Sequence, residues 1–304
     1  MSQFMTLDIL GRDASFWRVM GPGAGQQHAR LMPKSTGVFD LGVKTRWVTN
    51  AFGQRYQDYR FEKRTFVMTF NAYNCDKHTW ADVATRLGYA FDYDEETTLR
   101  FTGPDGVRDM LVRKESQSTA FSTQPWEQKD PFLFGDSSEM FTLSAELPFY
   151  VGAPLVQEWI NPNPAGWFQF TFSNPGPVPV WPSWTLSANA AFIVPDSCWG
   201  SPMLGRPVED MGRTVPIPPT TTADGLGIVV DSDPRNQTIL STNATLVQGR
   251  WQGMDLRYPI PSGLADSKAT AVVKGAGTAG TSCRLTIPRW YDRPFGRPFV
   301  KASM

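Results

Sequence analysis

Hydrophobic and polar residues alternate along several short segments of the chain, which is the pattern of half-buried β-strands. The clearest segment is 64–73. One face of that segment carries Phe66, Met68, Phe70 and Ala72. Helical spacing of apolar residues is clear in one stretch, which begins after a capping residue, Thr79, and reaches Phe91. The pattern therefore predicts a fold of the all-β class, built mainly of strands, with one short helix.

Residues 43–63 differ from the segments around them. They are rich in Arg, Tyr and Phe, and Ala51-Phe-Gly-Gln54 is a plausible turn. We predict a long, polar hairpin or loop that projects from the sheet. Two interpretations stay open, a solvated face and an arm that contacts a partner.

Proline divides the chain in two. Of 25 prolines, five lie in residues 1–145 and 20 lie in residues 146–304. Proline clashes in a helix interior, so the second part is expected to hold short strands joined by turns. The segment from Met140 to Leu147 alternates as a last strand before Pro148. We therefore predict two domains, 1–147 and 148–304.

In the second domain, residues 227–230 and 238–241 are predicted strands, as are 270–274 and 282–287. A glycine-rich turn, Gly275-Ala-Gly-Thr-Ala-Gly280, is predicted to join the last two as a hairpin. Residues 195–224 are predicted to form a long irregular loop.

Charge and cysteine content exclude several classes of function. The 29 basic and 29 acidic residues balance, which predicts neither nucleic-acid specificity nor attraction to an anionic membrane. The three cysteines, Cys75, Cys198 and Cys283, do not form a disulfide framework or a zinc motif. No signal peptide and no 18-residue apolar run are seen, so we expect folding in a cytoplasm and no membrane insertion.

Three patterns suggest chemistry and are better explained by turns or capping. The run 275–280 matches G-x-G-x-x-G, but a β pattern follows it where a phosphate-binding helix is required. Asp231 and Asp233 supply too few oxygen ligands for Ca²⁺ or Mg²⁺ and are ordinary turn residues. His28 and His78 lie outside any recognisable catalytic arrangement. We predict no catalytic residues, no cofactor and no metal, hence no enzyme.

The chain has 11 tryptophans, and exposed indole rings can bind partners or stack on sugars. Those on or beside predicted strands are expected to fill the core: Trp181, Trp184, Trp251 and Trp290. Three others lie in Pro/Gly-rich segments that we predict to be loops. The candidates for contact with the host or a partner are Trp159, Trp167 and Trp199.

Seven short motifs follow one another along the chain. They are Ile9-Leu-Gly-Arg12, Gly37-Val-Phe-Asp-Leu-Gly42, Phe141-Thr-Leu-Ser-Ala-Glu-Leu-Pro-Phe-Tyr150, Trp181-Pro-Ser-Trp184, Gly227-Ile-Val-Val-Asp-Ser-Asp-Pro234, Tyr258-Pro-Ile-Pro-Ser-Gly263 and Arg289-Trp-Tyr-Asp-Arg-Pro-Phe-Gly296. In this order they resemble the distal tail protein family of long-tailed bacteriophages, often labelled minor tail proteins. The last four motifs are most similar to members from phages of actinobacterial hosts.

The resemblance implies an N-terminal tail-tube-like β-sandwich, with the short helix and the long hairpin, and a C-terminal galectin-like β-sandwich. It implies a virion protein that forms a homo-oligomeric ring, usually a hexamer, at the distal end of the tail. Its partners would be the tail-tube protein, the tail-tip hub protein and a receptor-binding protein. A ring-forming role for the hairpin makes its exposed cations and aromatics the expected contacts: Arg46, Trp47, Arg55, Tyr56, Tyr59 and Arg60.

Two other functions remain open. The first is a carbohydrate-binding module that recognises host cell-wall glycans through loop tryptophans. The second is a wall-degrading hydrolase, although the spacing of the acidic residues offers no specific support for it.

Overall fold

The computed structural model describes residues 4–33, 35–39, 41–116, 130–162, 166–200, 205–206, 208–251, 253–274 and 279–296. The chain divides into two compact units. The first comprises Met1–Gly152 with Tyr291–Arg297, and the second comprises Ala153–Trp290 with Pro298–Met304. Both are built mainly of strands, so the prediction of a mainly β chain is confirmed. The identification of the units as tail-tube-like and galectin-like domains, with a boundary at 147/148, stays a prediction.

The described elements of the first unit follow in chain order. They are β1 (Thr6–Leu10), β2 (Phe16–Met20), β3 (Ala29–Leu31), β4 (Val43–Asn50), β5 (Gly53–Phe61), β6 (Arg64–Tyr73), α1 (Trp80–Tyr89), β7 (Thr97–Gly103), β8 (Gly106–Lys114), α2 (Pro131–Phe134), β9 (Asp136–Ala145) and the start of β10 (Tyr150–Ile160).

Two antiparallel sheets enclose the core of the first unit. One has the order β2-β1-β7-β8, with the first residues of β10 beside β8. The other has the order β3-β6-β9, and the end of β8 pairs with β9 there. Apolar side chains from both sheets are buried together, among them Ile9, Phe101, Met68, Phe70 and Phe141. The period-2 pattern of 64–73 thus corresponds to β6, whose alternate side chains face this core.

Helix α1 begins where the sequence predicts. Thr79 accepts a hydrogen bond from the backbone of Asp82, whose carboxylate accepts one from the Thr79 backbone in return. These bonds from Thr79 lower the pKa of Asp82. Trp80, Val83 and Leu87 are buried. The sequence pattern of residues 37–42 also predicts a short strand, and this prediction is wrong. Residues 37–39 form bends, 41 and 42 belong to no element, and the neighbouring Thr36 makes an isolated bridge with Val67.

Two buried arginines fix the C-terminal segment 291–296 within the first unit. Arg64 donates to the backbone carbonyls of Val38 and Asp292, at 3.0 and 2.9 Å. Arg108 donates to the carbonyls of Arg293 and Gly296, both at 2.8 Å. Guanidinium groups remain charged when buried, so several carbonyl acceptors offset part of their lost hydration.

The described elements of the second unit continue from β10. They are β11 (Gly166–Asn174), β12 (Ser183–Ser187), β13 (Ala191–Pro195), β14 (Thr214–Pro216), β15 (Gly227–Asp231), β16 (Ile239–Ser241), β17 (Leu264–Lys274) and β18 (Ser282–Tyr291).

These strands also form two sheets, with the orders β16-β15-β12-β18-β10 and β11-β17-β13-β14. Trp184 of β12 lies between them, with its ring centroid 5.2 Å from that of Phe170 and 6.1 Å from that of Phe172, both on β11. Trp184, Trp251 and Trp290 are buried, as predicted for core tryptophans, while Trp181 is half-buried.

The predicted hairpin of 270–274 with 282–287 is wrong. Both segments are strands, β17 and β18, but each belongs to a different sheet. The chain therefore passes from one sheet to the other between β17 and β18; residues 275–278 lie outside the described residues.

The segment 195–224 is more ordered than predicted. It contains β14, which pairs with β13. The buried carboxylate of Asp196 accepts backbone N–H bonds from Arg257 and Tyr258, at 3.0 and 3.2 Å, and forms an ion pair with Arg213. A buried carboxylate with this many donors links segments that lie far apart in sequence.

Candidate protein-interaction site

The predicted hairpin at 43–63 is present as β4 and β5. The strands pair from Val43 with Phe61 to Asn50 with Gly53. In the turn, the backbone N–H of Phe52 donates to the Asn50 side chain at 3.0 Å, and Gly53 has a positive φ of 134°. Asn and Gly suit these positions because an Asn side chain can bond the local backbone and Gly tolerates positive φ.

The hairpin has two chemically different faces. Cross-strand partners share a face, and Trp47 pairs with Tyr56 while Thr45 pairs with Tyr59. The Trp47 and Tyr56 rings meet edge to face at 5.5 Å. This aromatic face of the hairpin consists of Val43, Thr45, Trp47, Tyr56, Tyr59 and Phe61.

The opposite face carries charge. Lys44 pairs with Arg60, Arg46 with Asp58, and Val48 with Arg55. Four cations and one carboxylate make residues 43–61 net +3. Lys44 and Arg60 lie 4.0 and 3.4 Å from Glu62, whereas Arg46 and Arg55 have no ion-pair partner among the described residues.

A β-bulge creates this separation. Arg46 pairs with Asp58 but the next residue, Trp47, pairs with Tyr56, so one residue of β5 is left between them. Tyr56 and Tyr59 are three residues apart and would face opposite sides of a regular strand. The extra residue brings them to the same face.

Both faces of the hairpin are exposed. Every residue of β4 is exposed, as is every residue of β5 except Phe61. Within the described residues, β4 and β5 pair only with each other. A two-stranded hairpin is marginally stable by itself in water, and exposed aromatic clusters are typical of interaction surfaces. The six predicted contact residues thus lie on one exposed element.

The base of the hairpin is anchored. The Phe61 ring meets the Phe149 ring at 4.9 Å, and the Glu62 N–H donates to the Gly42 carbonyl at 3.1 Å. The chain enters and leaves the hairpin at adjacent positions, so the base of the hairpin is held by the first unit while its strands remain exposed.

The three candidate tryptophans of the second unit have different environments. Trp159 and Trp167 lie on strands β10 and β11, so their prediction as loop residues is wrong. The Trp159 ring stacks on Phe168 with centroids 6.1 Å apart, and the Trp199 ring packs against Phe172 at 5.0 Å. Trp167 is 68% exposed, whereas Trp159 and Trp199 are half-buried, so Trp167 is the most exposed of the three.

The residues of the Asp231/Asp233 pattern and the histidine His28 make local contacts. Asp231 accepts the Asp233 N–H at 2.9 Å, and Asp233 pairs with Arg235 at 2.6 Å, which is turn chemistry. The described residues contain no group of three or more potential metal-ligating side chains. His28 lies edge-on to Tyr73 at 5.5 Å, and burial raises the pKa of the Cys283 thiol to about 12.

The sequence reasoning missed one exposed surface of the first unit. Helix α2 presents three consecutive apolar residues, Phe132, Leu133 and Phe134, to solvent. The signal was available, because such a run after the helix-starting pair Asp130-Pro131 is unusual on a surface.

None of the helices in the described part of the chain has the length and apolar character that a membrane-spanning helix requires.

Several solved structures of phage tail proteins share this fold. The Dit protein of phage SPP1, described as a paradigm of the hub adsorption apparatus in Gram-positive-infecting phages, matches with a TM-score of 0.53 and 11% identity. The match covers 93% of this chain and 98% of that chain. A chain of the phage p2 baseplate, in its activated conformation with Sr, matches with a TM-score of 0.50 and 8% identity, over 95% and 99% of the two chains.

No protein-family model and no curated protein matches the chain. The structural matches therefore establish a fold shared with phage Dit and baseplate proteins over nearly the whole chain.

Proposed function

We propose that this chain is a structural protein of a bacteriophage tail, a distal tail protein of the kind found in phages of actinobacterial hosts. It assembles into a ring, a hexamer in our proposal, that joins the tail tube to the tail-tip hub and the host-recognition apparatus. Its mechanism is assembly, and it acts in the virion after folding in the host cytoplasm. The shared fold with SPP1 Dit supports this proposal.

The observation that carries the proposal is the exposed hairpin β4–β5. Its strands leave Trp47, Tyr56 and Tyr59 about half exposed on one face, with uncompensated arginines on the other. Aromatic residues and arginine are the side chains most enriched at protein interfaces and among their energetic hot spots. An ordered but uncovered element of this composition is best explained by a protein partner that covers it in the assembled state.

The mass of the purified protein in solution is the first test of whether it forms a ring. We expect light scattering to give a multiple of the 33.9 kDa chain mass, and negative-stain images to show a ring with a central pore. A strict monomer at micromolar and higher concentrations would sink the proposal.

A variant then tests the hairpin. Replacing Trp47, Tyr56 and Tyr59 by Ser should give monomers, because each hot-spot aromatic contributes roughly 2 kcal/mol or more to an interface. The matched control is Val48→Ser, on the opposite face of β4 and equally exposed, which should leave the oligomer intact. Circular dichroism and Tm establish that both variants fold.

Carbohydrate binding remains a second proposal for the second unit, supported by the exposed ring of Trp167. Trp159 and Trp199, the other two expected stacking platforms, are half-buried and pack against Phe168 and Phe172. Retention on purified host wall polysaccharide that is lost in Trp167→Ala would support it, whereas equal retention of both proteins would count against it.

A further inference from the structure

Helix α2 holds an exposed apolar surface in a defined conformation. Phe132, Leu133 and Phe134 are 75, 80 and 62% exposed. Asp130 caps the turn by accepting the Phe132 N–H at 2.9 Å, and the Gly135 N–H closes it on the Pro131 carbonyl at 2.8 Å. The three side chains are therefore presented by a hydrogen-bonded turn.

Neighbouring segments support this turn. The Phe132 ring meets the Trp80 ring edge to face at 5.2 Å. Asn74 joins both elements, since its N–H donates to the Gly135 carbonyl at 2.8 Å and its side chain accepts the Trp80 N–H at 2.6 Å. We call residues 74–82 and 130–136 together the α2 surface.

The α2 surface and the hairpin have opposite charge. The α2 surface carries four carboxylates and one lysine, which makes it net −3 with histidine neutral. The hairpin 43–61 is net +3. The carboxylates of the α2 surface have no ion-pair partner among the described residues. They belong to Asp76, Asp82, Asp130 and Asp136.

The two surfaces lie at opposite ends of β6. The hairpin leads into β6 at Arg64, and the α2 surface begins at Asn74, directly after Tyr73 ends the strand. Ten strand residues span about 30 Å at 3.3 Å per residue. Since both surfaces are exposed, neither covers the other within one chain.

We infer that the hairpin of one copy docks on the α2 surface of a second copy. Trp47 and Tyr59 contact Leu133 and Phe134, while the net positive charge of the hairpin is attracted to the net negative charge of the α2 surface. This deepens the proposed function and rests on its claim that the chain self-assembles. The contact joins two different surfaces, so it is head-to-tail, and such contacts close into rings when the rotation between copies permits.

A mixing experiment tests this contact. The hairpin variant carries Trp47→Ser and Tyr59→Ser, and the α2 variant carries Leu133→Ser and Phe134→Ser, which keeps the Phe132–Trp80 contact. Each truncated anchor is expected to weaken association roughly 30-fold, so each variant alone should be monomeric. The control, Val107→Ser with Leu111→Ser, removes exposed apolar residues of β8 outside both surfaces and should assemble normally.

Mixed at equal amounts, the two variants should form 1:1 dimers and nothing larger. The α2 variant retains a hairpin and the hairpin variant retains an α2 surface, so one contact forms. The two surfaces left over are the mutated ones, and growth stops. Mass photometry or light scattering reads the result directly.

Three results would overturn the inference. An α2 variant that still forms wild-type rings would refute it and leave the proposed function intact. Two monomeric variants that do not dimerise on mixing would show that the hairpin docks elsewhere, such as on another hairpin. An α2 variant that forms rings but no longer binds tail-tube protein would assign the surface to that partner. A monomeric wild-type protein would instead refute the proposed function itself.

Charge reversal gives an independent test. Arg46→Glu lowers the net charge of the hairpin from +3 to +1 and should weaken assembly more at low salt than at high salt, because salt screens the attraction between the two surfaces. Glu146→Lys, outside both surfaces, is the control and should change assembly little. Equal assembly of Arg46→Glu and wild type at low salt would count against the contact.

Discussion

The buried carboxylate of Asp224 makes several charged and polar contacts, from which the stability loss on its replacement can be estimated. Its side chain is 1% exposed, and its carboxylate accepts two bonds from Arg250, at 2.7 and 2.8 Å. The Thr221 N–H donates at 2.8 Å, and the hydroxyls of Thr221 and Thr245 donate as well. Arg250 first, and then these groups, hold the pKa of Asp224 well below its ordinary value. The carboxylate joins three segments of the second unit.

Replacing Asp224 by Asn keeps the size of the side chain and removes its charge. Breaking a buried ion pair costs about 3 to 5 kcal/mol. We expect about 3 kcal/mol, the lower end, because the Arg250 side chain is 38% exposed and regains water. Urea unfolding followed by tryptophan fluorescence measures this loss, since Trp184 is buried in the same unit.

The pH dependence of this stability loss shows whether the negative charge of Asp224 is its cause. The folded-state pKa of Asp224 lies below the unfolded-state pKa, so its contribution is complete above the unfolded-state value and is lost as pH falls below it. The stability difference between wild type and Asp224→Asn should be constant near neutrality and shrink below about pH 4.

Glu158→Gln is the matched control, because Glu158 pairs with Arg284 at 3.0 Å on the surface of the same unit. An exposed pair is worth about 0 to 1 kcal/mol. Equal losses in both variants, or a difference for Asp224 that persists unchanged at pH 3, would refute the reasoning.

Three further predictions follow from buried groups. Arg108→Met removes two hydrogen bonds to carbonyls of residues 291–296 and should lower the free energy of unfolding by about 2 kcal/mol. Limited proteolysis should then cut that segment faster. An unchanged cleavage rate would contradict the role of Arg108 in holding the segment. Burial raises the pKa of Glu139, so its ionised form opposes folding increasingly as pH rises through the unfolded-state value. Glu139→Gln should therefore gain stability relative to wild type as pH rises from about 4 towards the folded-state pKa, and parallel pH profiles would disprove this. Cys283 is buried with a pKa raised to about 12, so iodoacetamide should label the partly exposed Cys75 and leave Cys283 unmodified in the native protein, as mass spectrometry would show.

Local patterns predicted the elements that depend on near neighbours in sequence. Strand β6 and the cap of α1 follow from period-2 alternation and from a Thr three residues before an Asp. The hairpin follows from two polar strands around Ala51-Phe-Gly-Gln54. Alternation and capping involve side chains a few residues apart, so these elements can be predicted from the sequence without knowledge of the tertiary structure.

Strand partners were beyond such reasoning. The strands on either side of the run 275–280 look like a hairpin, yet β17 and β18 pair in different sheets. The choice of partner depends on packing against residues far away, such as Leu285 beside Trp184. Likewise, Trp159 and Trp167 occur in a proline-rich context but lie on strands, where tertiary pairing outweighs local composition.

The sequence by itself determined that this is a mainly β chain with a long basic and aromatic hairpin, because strand period and turn chemistry are local properties. Only the tertiary structure decided what that hairpin displays. One bulge in β5 places Tyr56 with Tyr59 on the face of Trp47 and moves Arg55 to the face of Arg46 and Arg60. The exposed fraction of each side chain is also decided by the tertiary structure, and the apolar side chains of α2 and most residues of the hairpin are largely exposed.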